Sequence, residues 1–564
     1  MFSVPSVLSP LARKNQSLNT EGTENTEKSG GRETFETKMK IVIADSVDES
    51  VAGILKADPS WTVVNLPKTK GKVEEEIRDA DALLVRSATK VTAELLDAAK
   101  KLRVIGRAGV GVDNVDLDAA TRKGVLVMNT PGGNAISVAE HTMTMLLALA
   151  HPVAQADASM KAGKWDKKKF TGSELRDKTL GLIGLGTIGT EVARLAQAYK
   201  MKVVAYDPYV STVLAMEQNI RLVPLEELLK ISDYISLHSS LTPETKHLIN
   251  AKSLALTKKG VRLANCARGE LVDEAALLAA LESGQVAGAG LDVFEKEPPA
   301  DPRLVQHPQV IATPHIAGST EEAQKVVGTR IAEQLRDYLT SGAVKNAVNM
   351  PSISPEEFKK LEPYLQLGEK LGAFVAQLTE KPFSEVSISY DGGLADLNTH
   401  LVKNAVLKGV LGQILADQIN LINAGNFAKA RGIEVVEVRS GRRAKYTNSL
   451  GVALRTGAET VSVLGMIGLN NALRVLGVNN IDIDAPLTGF LLLFRNEDVP
   501  GVIGRVGTLL GKHKINIANF ALGRVQNSDE AMGIVNVDQF VPPGVLAELR
   551  AITAVRQARV IEIR

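Results

Sequence analysis

Residues 179–207 read TLGLIGLGTIGTEVARLAQAYKMKVVAYD, and they decide the fold. An apolar run at 179–183 leads into Gly184-Leu-Gly186-Thr-Ile-Gly189. Helical periodicity follows over 190–199, and a second apolar run at 202–206 ends on Asp207. Strand before and helix after is the context that makes such a glycine pattern a dinucleotide fingerprint. Gly184 allows the tight turn, Gly186 lets the backbone approach a pyrophosphate, and Gly189 lets helix and strand pack closely. The helix start supplies free N–H donors for the anion. Asp207 comes roughly 20 residues after the first glycine, where a carboxylate accepts from ribose hydroxyls and repels a 2′-phosphate. Only Pro208 and Tyr209 follow it, with no Arg or Lys, so NAD is expected rather than NADP.

The same alternation of short apolar runs and amphipathic stretches extends on both sides. Runs at 41–45, 62–66, 82–86, 103–107 and 125–129 precede a long helical stretch at 135–150. After it come 179–183, 202–206, 234–238, 261–266, 288–293 and 310–313, then a helix over 320–339 ending at Gly342. Strands alternating with helices build parallel-sheet α/β units. The expected class is therefore α/β, with two doubly wound Rossmann-like units. Composition shifts at a Pro-containing linker, 346–355, before a third unit over 350–485 rich in Val, Leu and Gly. A short βαββ-like unit from Gly489 closes the chain.

Composition narrows the function classes. The 564 residues hold roughly three or four domains by the usual length per domain. A net charge of +2 is too balanced for a dedicated nucleic-acid binder. The longest apolar stretch, around 143–150, is about half of what spans a bilayer, so no membrane insertion is expected. One cysteine, Cys266, excludes an intrachain disulfide framework and a Cys-based zinc site, leaves no metal expected, and suits a reducing, cytoplasmic compartment. Residues 1–38 are rich in Ser, Thr, Glu, Asn and Gly without apolar periodicity, and read as a disordered extension upstream of Met39.

Three polar signatures fall just past successive strands: Arg268-Gly269 after 261–266, Glu297-Pro298 after 288–293, and Pro314-His315 after 310–313. That edge of an open α/β sheet is where ligands bind. Oxidising an alcohol needs a base near neutral pKa, which His315 supplies. A carboxylate such as Glu297 would hold the imidazole tautomer, and Arg268 would grip a substrate carboxylate in fork geometry. Any one of these residues has an ordinary structural explanation; the three at one sheet edge point to catalysis.

Asn265-Cys-Ala-Arg-Gly-Glu, Leu291-Asp-Val-Phe-Glu-Lys-Glu-Pro and Thr313-Pro-His-Ile-Ala-Gly-Ser resemble the signatures of the NAD-dependent D-2-hydroxyacid dehydrogenase family. Arg107-Ala-Gly-Val-Gly-Val-Asp-Asn and Met128-Asn-Thr-Pro narrow the resemblance to the branch that oxidises D-3-phosphoglycerate at the entry to serine biosynthesis. It covers essentially everything after Lys38. It implies a substrate-binding domain over 39–133 and 319–345, an NAD-binding domain over 134–318, an intervening regulatory domain over 350–485 and a ferredoxin-like ACT domain over 489–564. It also implies that Arg268, Glu297 and His315 are catalytic. The implied NAD contacts are Val110, Thr187, Ile188, Asp207, Ser239, Cys266, Ala267, Arg268 and Asp292, with His315, Ile316, Ala317 and Gly318. The sequence departs at His238-Ser-Ser-Leu-Thr, where the family usually has His-Thr-Pro-Leu, although Ser239 keeps a hydroxyl.

Arg86, Ser87 and Arg107 end strands of the first unit, and two arginines with a hydroxyl suit a phosphate. Asn134 resembles a further family contact. The expected small-molecule substrate is 3-phosphoglycerate. Another D-2-hydroxy acid, including the 2-hydroxyglutarate/2-oxoglutarate pair, is the alternative, and an NAD-sensing binding protein of this fold a second. The basic stretches 161–169 and 439–445 read as solvated charge. In the last unit, Asn496, Asp498 and Asn516 flank the turn before a helix at 502–512, where ACT modules take amino-acid effectors, usually across two subunits. L-serine is the expected effector and a homo-oligomer, dimer or tetramer, the expected assembly.

Overall fold

The computed structural model describes residues 39–563 apart from 300, 416–418, 441–445, 447, 458 and 526–527. The extension over 1–38 and the basic residues 441–445 lie outside the described residues.

Five aliphatic runs form a first, wholly parallel sheet: β1 (Lys40–Ile43), β2 (Thr62–Asn65), β3 (Ala82–Val85), β4 (Val104–Arg107) and β5 (Leu126–Met128). Their order is β2-β1-β3-β4-β5, so the winding reverses between β1 and β3. Seven more make a second parallel sheet: β6 (Thr179–Ile183), β7 (Lys202–Tyr206), β8 (Arg221–Leu222), β9 (Tyr234–Leu237), β10 (Val261–Asn265), β11 (Val286–Leu291) and β12 (Val310–Ala312). The order β12-β11-β10-β9-β6-β7-β8 reverses between β6 and β9. Each reversal opens a crevice beyond the strands' carboxyl ends, the usual ligand position in such sheets.

Two long helices carry the chain between the sheets. Ala135–Ala150 lies on the second, burying Ala139, Met143, Leu146 and Ala150 against Leu180 and Leu182. Glu321–Ser341 returns to the first, burying Val327, Ile331, Leu335 and Leu339 with Ile41 and Ile43. The Thr320 side chain caps its start by accepting from Ala323 N, and Gly342 ends it in a left-handed conformation at φ 72°. The linker after it pairs along the exposed edge of β5: Val348 N donates to Val127 O, and Asn349 Oδ1 accepts from Val127 N. That covers an edge which would otherwise present unpaired backbone groups.

A mixed six-stranded sheet follows, comprising β13 (Glu385–Asp391), β14 (Glu434–Ser440), β15 (Ser449–Thr456), β16 (Glu459–Ile467), β17 (Leu473–Val478) and β18 (Ile481–Pro486). The helices Pro355–Gln377 and Thr399–Leu415 pack on it. The last sheet, β20-β21-β19-β22, uses β19 (Gly489–Glu497), β20 (Ile517–Arg524), β21 (Glu530–Val537) and β22 (Val555–Ile563). Leu491, Ile534 and Ile561 from its inner face join the core of the six-stranded sheet.

The differences from the sequence reading are local. The run expected at 288–293 is β11 at Val286–Leu291, and the two-residue β8 is too short to show a period. The closing unit is βαββαβ rather than βαββ, because Pro543–Arg550 forms a second helix before β22.

Candidate active site

The glycine turn is built by contacts that leave no room for side chains. Gly184 has φ 97°, and a Cβ there would sit 2.7 Å from His238 C. A Cβ on Gly189 would meet Gly184 O at 2.3 Å, so the helix Thr187–Ala198 is pressed onto the strand that feeds it. Gly186 differs: nothing lies within 4 Å of its Cβ position, so a methyl there would project into open space above the helix start. Asp207 ends β7 and accepts from Leu185 N at 2.8 Å and from Tyr209 N at 2.9 Å, which fixes the carboxylate beside the turn. Ser239 Oγ is buried without a hydrogen-bond partner. An open cradle at Gly186, a fixed acid and an orphaned hydroxyl suit NAD's pyrophosphate, ribose and polar groups. Beneath the turn, burial pushes the His238 imidazole down to about 4, and its Nε2 lies 2.9 Å from Ser236 Oγ.

The second cluster forms at the ends of β10, β11 and β12. His315 Nδ1 lies 2.8 Å from Glu297 Oε2. That hydrogen bond raises the imidazole pKa above its ordinary value, against the opposing effect of burial. Burial would raise the Glu297 carboxyl, but the hydrogen bond and charge of His315 outweigh it, and its pKa is lowered. His315 itself has φ 53°. Its turn is held by Asp292, whose carboxylate accepts from Ile316 N and Ala317 N, each at 2.8 Å, and from Thr313 Oγ1 at 2.6 Å. Asp292 is fully buried, and these three donors engage its carboxylate. Cys266 is also buried, which pushes its thiol up to about 12 and keeps it protonated.

Arg268 leaves β10 on a turn tied by Asn265, whose Nδ2 donates to Arg268 O at 2.8 Å and whose Oδ1 accepts from Ala267 N at 3.1 Å. Its guanidinium reaches Asp113 of the β4 loop, with Nη2 3.0 Å from Oδ2. Arg107 is beside it: burial, then the charge of Arg268, lowers the Arg107 pKa to about 10. Its Nε is buried without a partner. Two glycines make this crowding feasible. A Cβ on Gly109 would lie 1.4 Å from Arg107 Nη1, and one on Gly111 would lie 2.0 Å from Arg268 Nη2.

Arg86 is presented by a braced loop. Buried Asp45 accepts from Arg86 N at 2.7 Å and from Thr89 N at 3.2 Å, while Asn114 Nδ2 donates to Arg86 O at 2.8 Å. Ser87 is exposed on that loop. Asn134 precedes the helix Ala135–Ala150, with its Oδ1 buried and unpartnered, and Val110 O accepts from Asn129 Nδ2. Sequence reasoning assigned no role to Asp45, and it singled out Gly109, Gly111, Asp113 and Asn114 only as part of the Arg107–Asn114 motif, without individual roles. An acid ending an otherwise apolar strand was the available signal for Asp45.

The three residues expected to take an effector do not meet in one chain. Asn496 lies opposite Ala531 on β21, whereas Ile517, next to Asn516, lies opposite Val537. That register puts Asn516 roughly 20 Å from Asn496 at the usual strand rise. Asp498 Oδ2 is 3.1 Å from Arg524 Nε, and Asn516 Nδ2 donates to Asp538 at 2.6 Å. Parallel running of β19 and β20 sends Asn516 to the far end, so only a second copy can complete such a set. Asn496 Oδ1 is buried and unpartnered.

Residues 143–317 match the family described as "D-isomer specific 2-hydroxyacid dehydrogenase, NAD binding domain". Residues 360–479 match the "D-3-phosphoglycerate dehydrogenase intervening domain", and 490–554 the ACT domain. The D-3-phosphoglycerate dehydrogenase of Methanocaldococcus jannaschii is 44% identical over 93% of this chain and 100% of its own length. The chain belongs to the D-3-phosphoglycerate dehydrogenase family. Family members from Bacillus subtilis, 42% identical over 93% of this chain and 100% of their own, and from Homo sapiens, 39% identical over 90% and 96%, extend the likeness. Among solved structures, a glyoxylate reductase from Paecilomyes thermophila superposes with a TM-score of 0.50 at 31% identity, covering 55% of this chain and 98% of that one. An NAD-dependent formate dehydrogenase from Staphylococcus aureus, in complex with NAD, gives 0.50 at 28% identity, covering 56% and 100%. The family is NAD-dependent, in keeping with the cradle at Gly186. Among the described residues no helix is long and apolar enough to cross a membrane.

Proposed function

We propose that the chain oxidises D-3-phosphoglycerate to 3-phosphohydroxypyruvate, the first step of L-serine formation. The observation that carries this reading is the Glu297-paired imidazole of His315 beside the Arg268 guanidinium, whose charge also acts on Arg107. NAD supplies the hydride acceptor when bound. His315 takes the hydroxyl proton at Nε2, since Nδ1 faces Glu297 and a carboxylate accepts only from a protonated nitrogen. Glu297 stabilises the imidazolium that results. Arg268 grips the substrate carboxylate, and Arg107 with Arg86, Ser87 and Asn134 takes the phosphate. Asp207 selects NAD by repelling a 2′-phosphate.

Arg86, Ser87 and Arg107 belong in this reading to a substrate-binding domain over 39–133 and 319–345, facing a cofactor domain over 134–318 that contributes Asn134 and Arg268. The 350–485 and 489–564 units are regulatory, with L-serine bound between the Asn496 and Asp498 of one copy and the Asn516 of another. Exposed Trp165, 80% accessible, with Val153 and Met160, supports an interface between copies. A cytoplasmic setting accords with the single, buried Cys266.

Comparing Arg107→Ala on D-3-phosphoglycerate and on unphosphorylated D-glycerate tests the substrate assignment. The substitution raises KM for the phosphorylated acid far more than for glycerate. Equal losses on both acids would reject Arg107 as the phosphate ligand.

A further inference from the structure

Arg268 follows β10 of the second sheet and Asp113 follows β4 of the first, so their contact spans the cleft. Nη2 stands 3.0 Å from Oδ2, and the guanidinium occupies the space that a Cβ on Gly111 would take. The Asp113 side chain is 65% exposed and that of Arg268 27%, so the acid is at the mouth and the base inside. The cluster around it is strongly cationic. Arg268 and Arg86 both act on Arg107, and the carboxylates acting on Arg107 are Asp45 and Asp113. Asp45 is engaged by the backbone of the Arg86 loop. Glu297, which also interacts with Arg268, is paired with His315, so Asp113 is the exposed counter-charge at the mouth of this site.

We propose that Asp113 is a positioning residue that holds Arg268 in place of the substrate carboxylate and keeps simple anions out of the arginine cluster. This rests on Arg268 as the carboxylate clamp. A substrate bearing both a carboxylate and a phosphate gains at two points and displaces Asp113 from the guanidinium. A small anion gains at one point and meets a carboxylate already paired there. With Asp113 in place Arg268 is also pre-aimed across the cleft, so less ordering remains when substrate arrives.

The test uses the full chain with Asp113→Asn and Asp113→Glu, with inorganic sulfate as inhibitor against D-3-phosphoglycerate at constant ionic strength. For Asp113→Asn the sulfate Ki falls about threefold or more, the scale of a partly screened charge pair, and kcat falls with it. KM for NAD and the melting temperature stay as in the parent, and Asp113→Glu restores part of both effects. An unchanged sulfate Ki overturns the proposal, even with a lower kcat, because loss of a merely structural tie would do that. If the parent itself fails to oxidise D-3-phosphoglycerate, the clamp reading fails instead, since the parent retains Asp113.

Discussion

His315 reaches Glu297 with Nδ1 2.8 Å from Oε2, and this contact fixes which nitrogen is free. A carboxylate cannot donate, so Nδ1 carries the proton and Nε2 is left to accept one. Both members are shifted toward their charged forms, the imidazole upward and the carboxyl downward.

The pH profile follows from those directions. Below its raised pKa His315 is an imidazolium and cannot accept the hydroxyl proton. The kcat/KM for oxidation therefore falls as pH drops through a value above the ordinary 6.5 of the imidazole. Glu297→Gln removes the charge that raises it, so the acid limb moves to lower pH while kcat falls. An acid limb in Glu297→Gln that coincides with the parent's would dissociate Glu297 from the base.

Two glycines of one motif separate binding from packing. Gly186→Ala has space for its methyl in the protein, so the melting temperature holds while KM for NAD rises. Gly189→Ala drives a Cβ to 2.3 Å from Gly184 O, and overpacking of that kind costs about 1–3 kcal/mol of stability. Thermal melts and NAD titrations on the pair check both halves. Equal melting temperatures with equal NAD affinities would refute the cradle.

Asp207→Ala removes a charged acceptor of hydrogen bonds, worth about 1.5–3 kcal/mol. The ratio of kcat/KM for NAD over NADP then falls roughly tenfold to a hundredfold by the same figure. Part of the loss on NAD comes from the turn, since Asp207 also accepts from Leu185 N. A ratio that does not move shows that the ribose is held elsewhere.

The proposed effector site turns on Asn496, whose Oδ1 is buried without a hydrogen-bond partner. Titrating the parent with millimolar L-serine in a calorimeter gives binding heat and lowers turnover. Asn496→Ala and Asp498→Ala each abolish the heat and the inhibition. Absence of any heat or inhibition in the parent would remove serine from the account without touching the dehydrogenase site.

The parts of the molecule legible in the sequence are those whose cause is local. Gly184, Gly186 and Gly189 sit between a strand and a helix that announce themselves within a few residues, and Asp207 ends the very next strand. His315, Glu297 and Arg268 could be singled out because each lies a short loop past the end of a strand of one sheet. Asp45 could not, since it braces Arg86 from 41 residues away. The open space at Gly111 is taken up by Arg268, from the other sheet, and by Asp113. Asp292 carries an ordinary acidic label, and only its burial and hydrogen bonds show that it holds the His315 turn. Asn516 depends on strand direction, which residue types do not encode.

The His315–Glu297 pair and the arginines are proposed to act together on D-3-phosphoglycerate. Steady-state NAD reduction by the parent and by His315→Ala, across D-3-phosphoglycerate, D-glycerate, D-lactate and D-2-hydroxyglutarate, tests this most directly. The account predicts the highest kcat/KM on D-3-phosphoglycerate and a loss of roughly 10²–10⁴-fold in kcat for His315→Ala, the range of a general base, with NAD binding retained. Comparable kcat/KM on an unphosphorylated acid, or near-parental kcat in His315→Ala at neutral pH, would contradict it.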